Sequence, residues 1–136
     1  MTRALLLVGL LAACTGPHVA APDRPDLARE LRSRALPEVP GACIAQADQP
    51  DPRHGRIRRV WFPTPCPAAL TPTLVGDLQR ALAARGLYHG PATGRPDAAT
   101  AEAVRRFQAP LGLDSPVLSL AAARHLGLVP VEPAGI

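Results

Sequence analysis

Apolar residues recur every three or four positions along the C-terminal half of the chain, which is the spacing of one buried helix face. In the first helix, Thr71 can cap the amino end and Pro72 suits the first helical position. Gly86 follows at the point where a left-handed residue is expected to end the helix. The apolar face is predicted to contain Leu74, Val75, Leu78, Ala81 and Leu82.

Two further helices are predicted after loops rich in glycine and proline. Asp97 can cap the second helix, and Ser119 can cap a third that is expected to end at Gly127. The three helices are short, so we expect them to pack as one small bundle. Its predicted core consists of Leu78, Leu82, Val104, Phe107, Leu113 and Leu126.

Ahead of the helices, residues 56–62 combine β-branched and aromatic side chains between two turn-rich stretches, which predicts a β-strand. The strand is not cleanly amphipathic, because Ile57 and Phe62 fall on opposite faces by simple alternation. Trp61 can pack against a neighbouring element or stack on a sugar ring, and packing is the more common role.

The N-terminus has the layout of a secretory signal, with Arg3 ahead of a continuous apolar run, Ala4–Ala13, that ends in small residues. The run is too short to span a bilayer, which needs about 20 apolar residues. A buried helix of a cytosolic protein is the alternative, but such a helix would show a polar face and this run has none. We therefore expect residues 1–13 to be a signal peptide.

The four residues that end this run, Leu11-Ala12-Ala13-Cys14, resemble a bacterial lipobox. The resemblance implies cleavage before Cys14 and acylation of that cysteine with several fatty acids, palmitate among them. More than one acyl chain is what stable membrane attachment requires. Thr15, rather than an aspartate, follows the cysteine, and the resemblance then favours transport to the outer membrane. The expected location is the periplasm, with a lipid anchor.

Cys43 and Cys66 remain as an even pair in an oxidising compartment once Cys14 is lipidated. A disulfide between them is the expected outcome. Free thiols or a metal site are the alternatives, although a zinc site usually shows a C-x-x-C motif or paired histidines, and neither is present. No metal ligand and no cofactor is predicted for this chain.

The chain is basic, with a formal net charge of +4, and all of its basic residues except histidine are arginine. Nucleic acid is not an expected partner, because the aromatic content is only 3% and no groove-reading motif is present. The densest basic run is Arg53, His54, Arg56, Arg58 and Arg59. It is either a solvated surface or a site of attraction to wall carboxylates or lipid headgroups.

The helical half carries a specific order of residues: Leu78-Gln79, Leu82, Gly86-Leu87-Tyr88, Gly90-Pro91, Gly94, Thr100, Ala103-Val104, Phe107-Gln108, Gly112-Leu113 and Leu126-Gly127-Leu128. This order resembles the three-helix peptidoglycan-binding domain of bacterial wall hydrolases and envelope proteins. The resemblance covers residues 72–129. The cysteine pair ahead of it also looks like small envelope lipoproteins.

The chain departs from this family in the central loop, where Asp-Gly-x-Phe-Gly is usual. Here the stretch is Thr93-Gly94-Arg95-Pro96-Asp97, and a second turn has Ser115-Pro116 in place of Thr-Gly. Gln79 and Gln108 are expected to bond loop backbone rather than ligand. Polar and aromatic groups near the central loop are the candidate ligand contacts, since an arginine fork suits stem-peptide carboxylates. These candidates are Tyr88, His89, Thr93, Arg95, Arg105 and Arg106.

The fold is expected to be mainly α, a small three-helix peptidoglycan-binding-like bundle preceded by a short disulfide-closed segment with one or two β-strands. After the signal peptide, residues 14–36 are expected to be a lipidated N-terminus and flexible linker with one short helix over Asp26–Ala35. Residues 37–70 form the disulfide-closed segment, 71–129 the peptidoglycan-binding-like domain, and 130–136 a tail.

No catalytic residues are assigned, because the histidines, serines and carboxylates lack the spacing of a known catalytic motif. The expected function is a non-catalytic peptidoglycan-binding lipoprotein that tethers a membrane to the cell wall. Its expected partners are peptidoglycan and, through the N-terminal lipid, a membrane. The alternative is an accessory subunit of an envelope machine or wall hydrolase that has lost glycan binding and contacts an envelope protein instead.

Overall fold

The computed structural model describes residues 25–35 and 40–130. Its three α-helices are α1 (Pro72–Ala83), α2 (Ala98–Gln108) and α3 (Leu120–His125). Two strands precede them, β1 (Cys43–Asp51) and β2 (Arg56–Thr64). Short 3-10 helices complete the fold at Leu27–Glu30, Pro67–Ala69 and Ala109–Leu111.

The three predicted helix caps are confirmed. The Thr71 hydroxyl accepts a hydrogen bond from the Leu74 amide at 3.2 Å, and the Asp97 carboxylate accepts one from the Thr100 amide at 2.7 Å. The Ser119 hydroxyl likewise accepts from the amide of Ala122 at 3.0 Å. Each cap satisfies an amide that the helix cannot bond internally, so these local interactions fix where the helices begin.

The expectation of a mainly α fold is wrong, because β1 and β2 form a long antiparallel hairpin. The described residues are 38% helical and 19% strand, which makes the fold mixed α and β. The hairpin runs from the Cys43–Thr64 pair to the Asp51–Arg56 pair without a break in register. The disulfide-closed segment is therefore a full layer of the structure and not a short extension.

The composition of β1 explains why the sequence pattern understated the hairpin. The inward positions of this strand are Ala45, Ala47 and Gln49, which lie opposite Phe62, Val60 and Arg58 of β2. Small and polar residues at inward positions give no apolar alternation, so β1 lacks the usual signal of a strand. Its pairing with β2 supplies the stability that its own residues do not.

The hairpin and the helices share one hydrophobic core. Val60 and Phe62 of β2 are fully buried, and Phe62 belongs to the same cluster as the helix residues. Of the predicted core, four residues are buried, while Phe107 and Leu126 are half-buried and pack against the cluster. The remaining buried members of the cluster are Leu27, Tyr88, Ala103, Leu118, Ala122 and Ala123.

The segment ahead of the hairpin also packs on the core. A 3-10 helix, Leu27–Glu30, lies within the stretch expected to be a linker, and the Leu27 side chain is only 2% exposed. Arg32 and Trp61 exchange backbone hydrogen bonds at 3.0 and 2.9 Å, so the chain runs briefly alongside β2. The packed part of the described chain thus begins at about Leu27.

The predicted disulfide between Cys43 and Cys66 is present, with the two Cα atoms 4.8 Å apart. Cys43 is the first residue of β1, and Cys66 lies two residues beyond the end of β2. The bond therefore closes the open end of the hairpin, next to the start of α1. Within the described residues no helix is long and apolar enough to cross a membrane. The predicted signal peptide and Cys14 lie outside the described residues.

Removing the disulfide is expected to weaken the whole fold and not the hairpin alone. The bond closes a loop with a sequence separation of 23 residues. A loop of that length gives about 3 kcal/mol by chain entropy. The variant Cys43→Ser/Cys66→Ser should lose free energy of unfolding of about that size in urea titrations. Far-UV circular dichroism and tryptophan fluorescence should report one shared unfolding transition, because Phe62 and the helices share a core. A helical transition unchanged by the substitution would contradict this.

Candidate functional site

The central loop between α1 and α2 is held by one buried amide. Gln79 of α1 is fully buried, and its Nε2 donates to the Arg95 carbonyl at 2.9 Å and to the Thr100 hydroxyl at 3.0 Å. Its Oε1 accepts from the Gly94 amide at 3.0 Å. The side chain thus satisfies loop backbone that would otherwise be buried without partners.

A second buried glutamine holds the loop between α2 and α3 in the same way. The Nε2 of Gln108 donates to the carbonyls of Ser115 and Val117, both at 2.9 Å. Its Oε1 accepts from the Ser119 amide at 2.8 Å, immediately before α3. The predicted role of both glutamines, bonding loop backbone, is confirmed.

A third glutamine joins the hairpin to the helices. Gln49 of β1 is 5% exposed, and its Nε2 donates to the Asp114 carbonyl at 2.8 Å while its Oε1 accepts from the Asp114 amide at 2.8 Å. The amide side chain therefore pairs with backbone as a neighbouring strand would. Sequence reasoning did not single out Gln49, because its partner is 65 residues away.

An apolar groove lies between the two loops held by Gln79 and Gln108. Its cavity has a volume of about 170 Å³. Two of its residues, Leu70 and Val117, are 38% and 40% exposed, which is unusual for large apolar side chains in this structure. The lining residues come from both loops, from α1 and α2, and from the end of β2: Thr64, Leu70, Val75, Leu78, Pro96, Asp97, Thr100, Ala101, Val104, Pro116, Val117 and Leu118.

Polar groups of the groove are engaged with the protein and give it a fixed shape. The Thr64 hydroxyl donates to the Leu118 carbonyl at 2.7 Å, which ties the end of β2 to the second loop. The Thr100 hydroxyl donates to the Asp97 carboxylate at 2.6 Å. Hydrogen bonds from the Thr100 hydroxyl and amide hold the pKa of Asp97 below its usual value, so this carboxylate is charged at neutral pH.

The predicted contact residues of the central loop fall into two groups. Tyr88 is 4% exposed, and its hydroxyl donates to the Pro91 carbonyl at 3.0 Å, so its ring supports the loop from inside. His89, Thr93 and Arg95 are exposed. The Thr93 hydroxyl accepts from the Arg95 amide at 3.2 Å, and Arg95 directly precedes the groove residue Pro96.

The two arginines of α2 are engaged elsewhere. Arg105 forms ion pairs with Glu102 and Asp114, each at 2.9 Å, and these carboxylates raise the pKa of its guanidinium. Arg106 donates to the Leu87 carbonyl at 2.8 Å on another side of the helix. The structure therefore does not bring all six predicted residues together. Thr93 and Arg95 lie in the loop that forms one wall of the groove.

The groove itself was missed by sequence reasoning. Its apolar residues carry the same helical spacing as the core, so pattern alone assigns them to burial. Of its two lips, Val117 comes from the second loop and Leu70 from the short connection between the 3-10 helix Pro67–Ala69 and α1, so their exposure depends on the tertiary fold. Among the described residues, no cluster of three or more potential metal-ligating side chains is present.

Comparison with known families assigns this part of the molecule. Residues 71–115 match a family model described as Putative peptidoglycan binding domain. The match supports a peptidoglycan-binding domain in this segment. No curated protein and no solved structure matches the chain significantly.

The segment that matches the family model includes α1, α2, Gln79 and Gln108. It ends at Ser115, so α3 and the hairpin lie outside it. In the structure these outside elements complete the same core, and Thr64 and Val117 complete the groove. The folded unit is therefore larger than the matched segment.

The close approach of Gly94 to α1 gives a sharp test of how the central loop is held. Gly94 has φ +72°, and a Cβ there would lie 2.5 Å from the Pro72 carbonyl oxygen. Gly86 has a similar φ of +71°, but a Cβ there would meet nothing within 4 Å. Both alanine variants place a side chain in left-handed backbone, yet only Gly94→Ala also forces two backbone segments apart.

Gly86→Ala should therefore cost about 1–2 kcal/mol in free energy of unfolding, the usual penalty of left-handed backbone. Gly94→Ala should cost at least about 3 kcal/mol, because overpacking adds to that penalty. Chemical denaturation of the two variants beside the wild type measures both values. Equal losses would show that the loop can move away from Pro72 without cost.

Proposed function

We propose that the groove between the loops held by Gln79 and Gln108 is the peptidoglycan-binding surface of this domain. The observation that carries the proposal is the pair of exposed apolar lips, Leu70 and Val117, over a preformed cavity. Exposed apolar surface beside fixed polar groups is typical of a ligand site. Residues of the matched segment, among them Val75, Leu78 and Val104, line the groove, whereas both lips lie just outside that segment.

The size of the cavity limits what can enter it. A volume of about 170 Å³ is below that of most drug-sized ligand sites. It suits a small apolar group, such as the methyl of an N-acetylated sugar or of an alanine in a stem peptide. The rest of the polymer would lie across the lips, within reach of Thr93 and Arg95. The Arg95 fork would then meet a stem-peptide carboxylate.

The domain acts by binding, and we propose that the whole protein is non-catalytic. It would link the wall to a membrane through a lipid on Cys14, after removal of residues 1–13. The support for this part is the lipobox-like sequence and its position in the chain. We propose that the lipid inserts in the outer membrane and that the protein lies in the periplasm.

Binding to the wall is tested with a neutral substitution that fills the groove. Ala101 of α2 lines the cavity, whereas Ala99 on the same helix is exposed and does not. Ala101→Gln should weaken co-sedimentation of the soluble chain, residues 15–136, with purified insoluble peptidoglycan by about tenfold, because cavity contacts carry much of the affinity of a small site. Ala99→Gln is the matched control and should bind like the wild type.

The outcomes of this experiment separate the competing functions. Equal binding by both variants would move the binding surface away from the groove. No sedimentation of the wild-type protein at physiological salt would reject wall binding itself. In that case, crosslinking in cells to one dominant envelope protein would favour an accessory subunit that has lost glycan binding.

The lipid anchor has its own test. Cys14→Ser should prevent lipid attachment and leave an uncleaved precursor or a soluble product, because the thiol is the acceptor in the proposed reaction. Globomycin, which blocks the lipoprotein signal peptidase, should make the wild-type precursor accumulate. Membrane fractionation and immunoblotting measure both effects. A wild-type protein that is soluble in the periplasm and insensitive to globomycin would reject the anchor and leave wall binding intact.

A further inference from the structure

The tip of the hairpin, residues 51–58, carries several exposed basic residues and one exposed apolar residue. Arg53, Arg56 and Arg58 are all exposed. Ile57 stands between two of them and is 68% exposed, the highest value among the large apolar side chains of the described residues. Because side chains alternate along a strand, Ile57 lies on the opposite face of β2 from Arg56 and Arg58, so the cations and the aliphatic side chain meet only at the end of the hairpin.

The positive charge of the hairpin tip is not cancelled by its neighbours. The two nearby carboxylates already have partners, since Asp51 pairs with His54 at 2.8 Å and Asp48 pairs with Arg59 at 2.9 Å. Within the described residues, Arg53, Arg56 and Arg58 have no carboxylate within ion-pair distance of their guanidiniums. Three arginines against Asp51 leave the tip with two net positive charges when His54 is neutral.

Packing does not account for the exposure of Ile57. The buried positions of β2 are Val60 and Phe62, and by alternation Ile57 projects from the opposite face. Its partner across the hairpin is Pro50, which is also exposed. Covering this side chain with an apolar environment would therefore be favourable.

The hairpin tip and the groove lie at opposite ends of β2. Thr64 lines the groove, and Arg56 begins the strand at the tip. The eight residue steps between them span about 26 Å at the usual rise of a strand. One molecule can therefore contact two different surfaces at the same time.

We propose that the hairpin tip binds the surface of an anionic phospholipid membrane. With the hairpin end-on to the membrane, the arginines would contact lipid phosphates, and Ile57 on the other face of the strand would enter the interfacial region. Charge complementarity supports a polyanion, and the arginine fork matches a phosphate. Ile57 favours a membrane over wall carboxylates, because a hydrated polymer offers no apolar layer to cover it. This proposal stands without the groove and without the lipid on Cys14.

The test uses the soluble chain of residues 15–136, which contains every described contact and lacks the apolar run. It should co-sediment with phosphatidylcholine vesicles that contain phosphatidylglycerol and stay in solution with pure phosphatidylcholine. Binding should weaken as salt is raised. Arg56→Gln/Arg58→Gln should lower the partition coefficient by about tenfold or more, given the usual contribution of each basic residue near an anionic surface. Ile57→Ser should also lower it, with the charge unchanged.

A matched control removes the same charge from elsewhere. Arg29 and Arg80 are exposed members of surface ion pairs on the helical side, with side chains 86% and 61% exposed. Arg29→Gln/Arg80→Gln should keep most of the vesicle binding, and urea titrations should show all variants folded. An equal loss of vesicle binding in this control would overturn the proposal, because net charge alone would then explain the binding. If the wild type does not bind vesicles and the tip variants no longer sediment with peptidoglycan, the surface binds the wall instead of a membrane. No vesicle binding by the wild type would also overturn it.

Discussion

The bonding of buried glutamine amides to loop backbone is the interaction on which the rest of this structure depends. Gln108 bonds three backbone groups of a loop that has no regular structure of its own, and Gln79 bonds two such groups and the Thr100 hydroxyl of α2. Gln49 joins the hairpin to the second loop through both backbone groups of Asp114. Buried backbone without a partner would destabilise the fold, so these amides decide where the loops lie. The groove between the loops exists because both are held.

Much of the helical half could be predicted because its signals are local. Thr71, Asp97 and Ser119 cap helices through amides three residues away, and that spacing is visible in the sequence. The disulfide followed from the count of cysteines. The roles of Gln79 and Gln108 followed from the family resemblance and from the need of loops for hydrogen-bond partners.

The parts that could not be predicted depend on contacts between distant residues. The inward residues of β1 are small or polar, and only pairing with β2 makes them a strand. Leu27 gave no sign that it enters the core of a bundle that begins far along the chain. Tyr88, a candidate for contact with ligand, lies inside the loop instead. In each case the deciding neighbour is supplied by the tertiary fold.

The position of the disulfide has a mechanical consequence. A load applied between the hairpin tip and the groove runs along the two strands, whereas their hydrogen bonds lie across them. The covalent backbone of β2 then carries the load, and the hydrogen bonds between the strands are not broken one after another. Peeling would have to start at the open end of the hairpin, and the covalent link from Cys43 to Cys66 closes that end. A hairpin closed at this end stays paired under tension along its length.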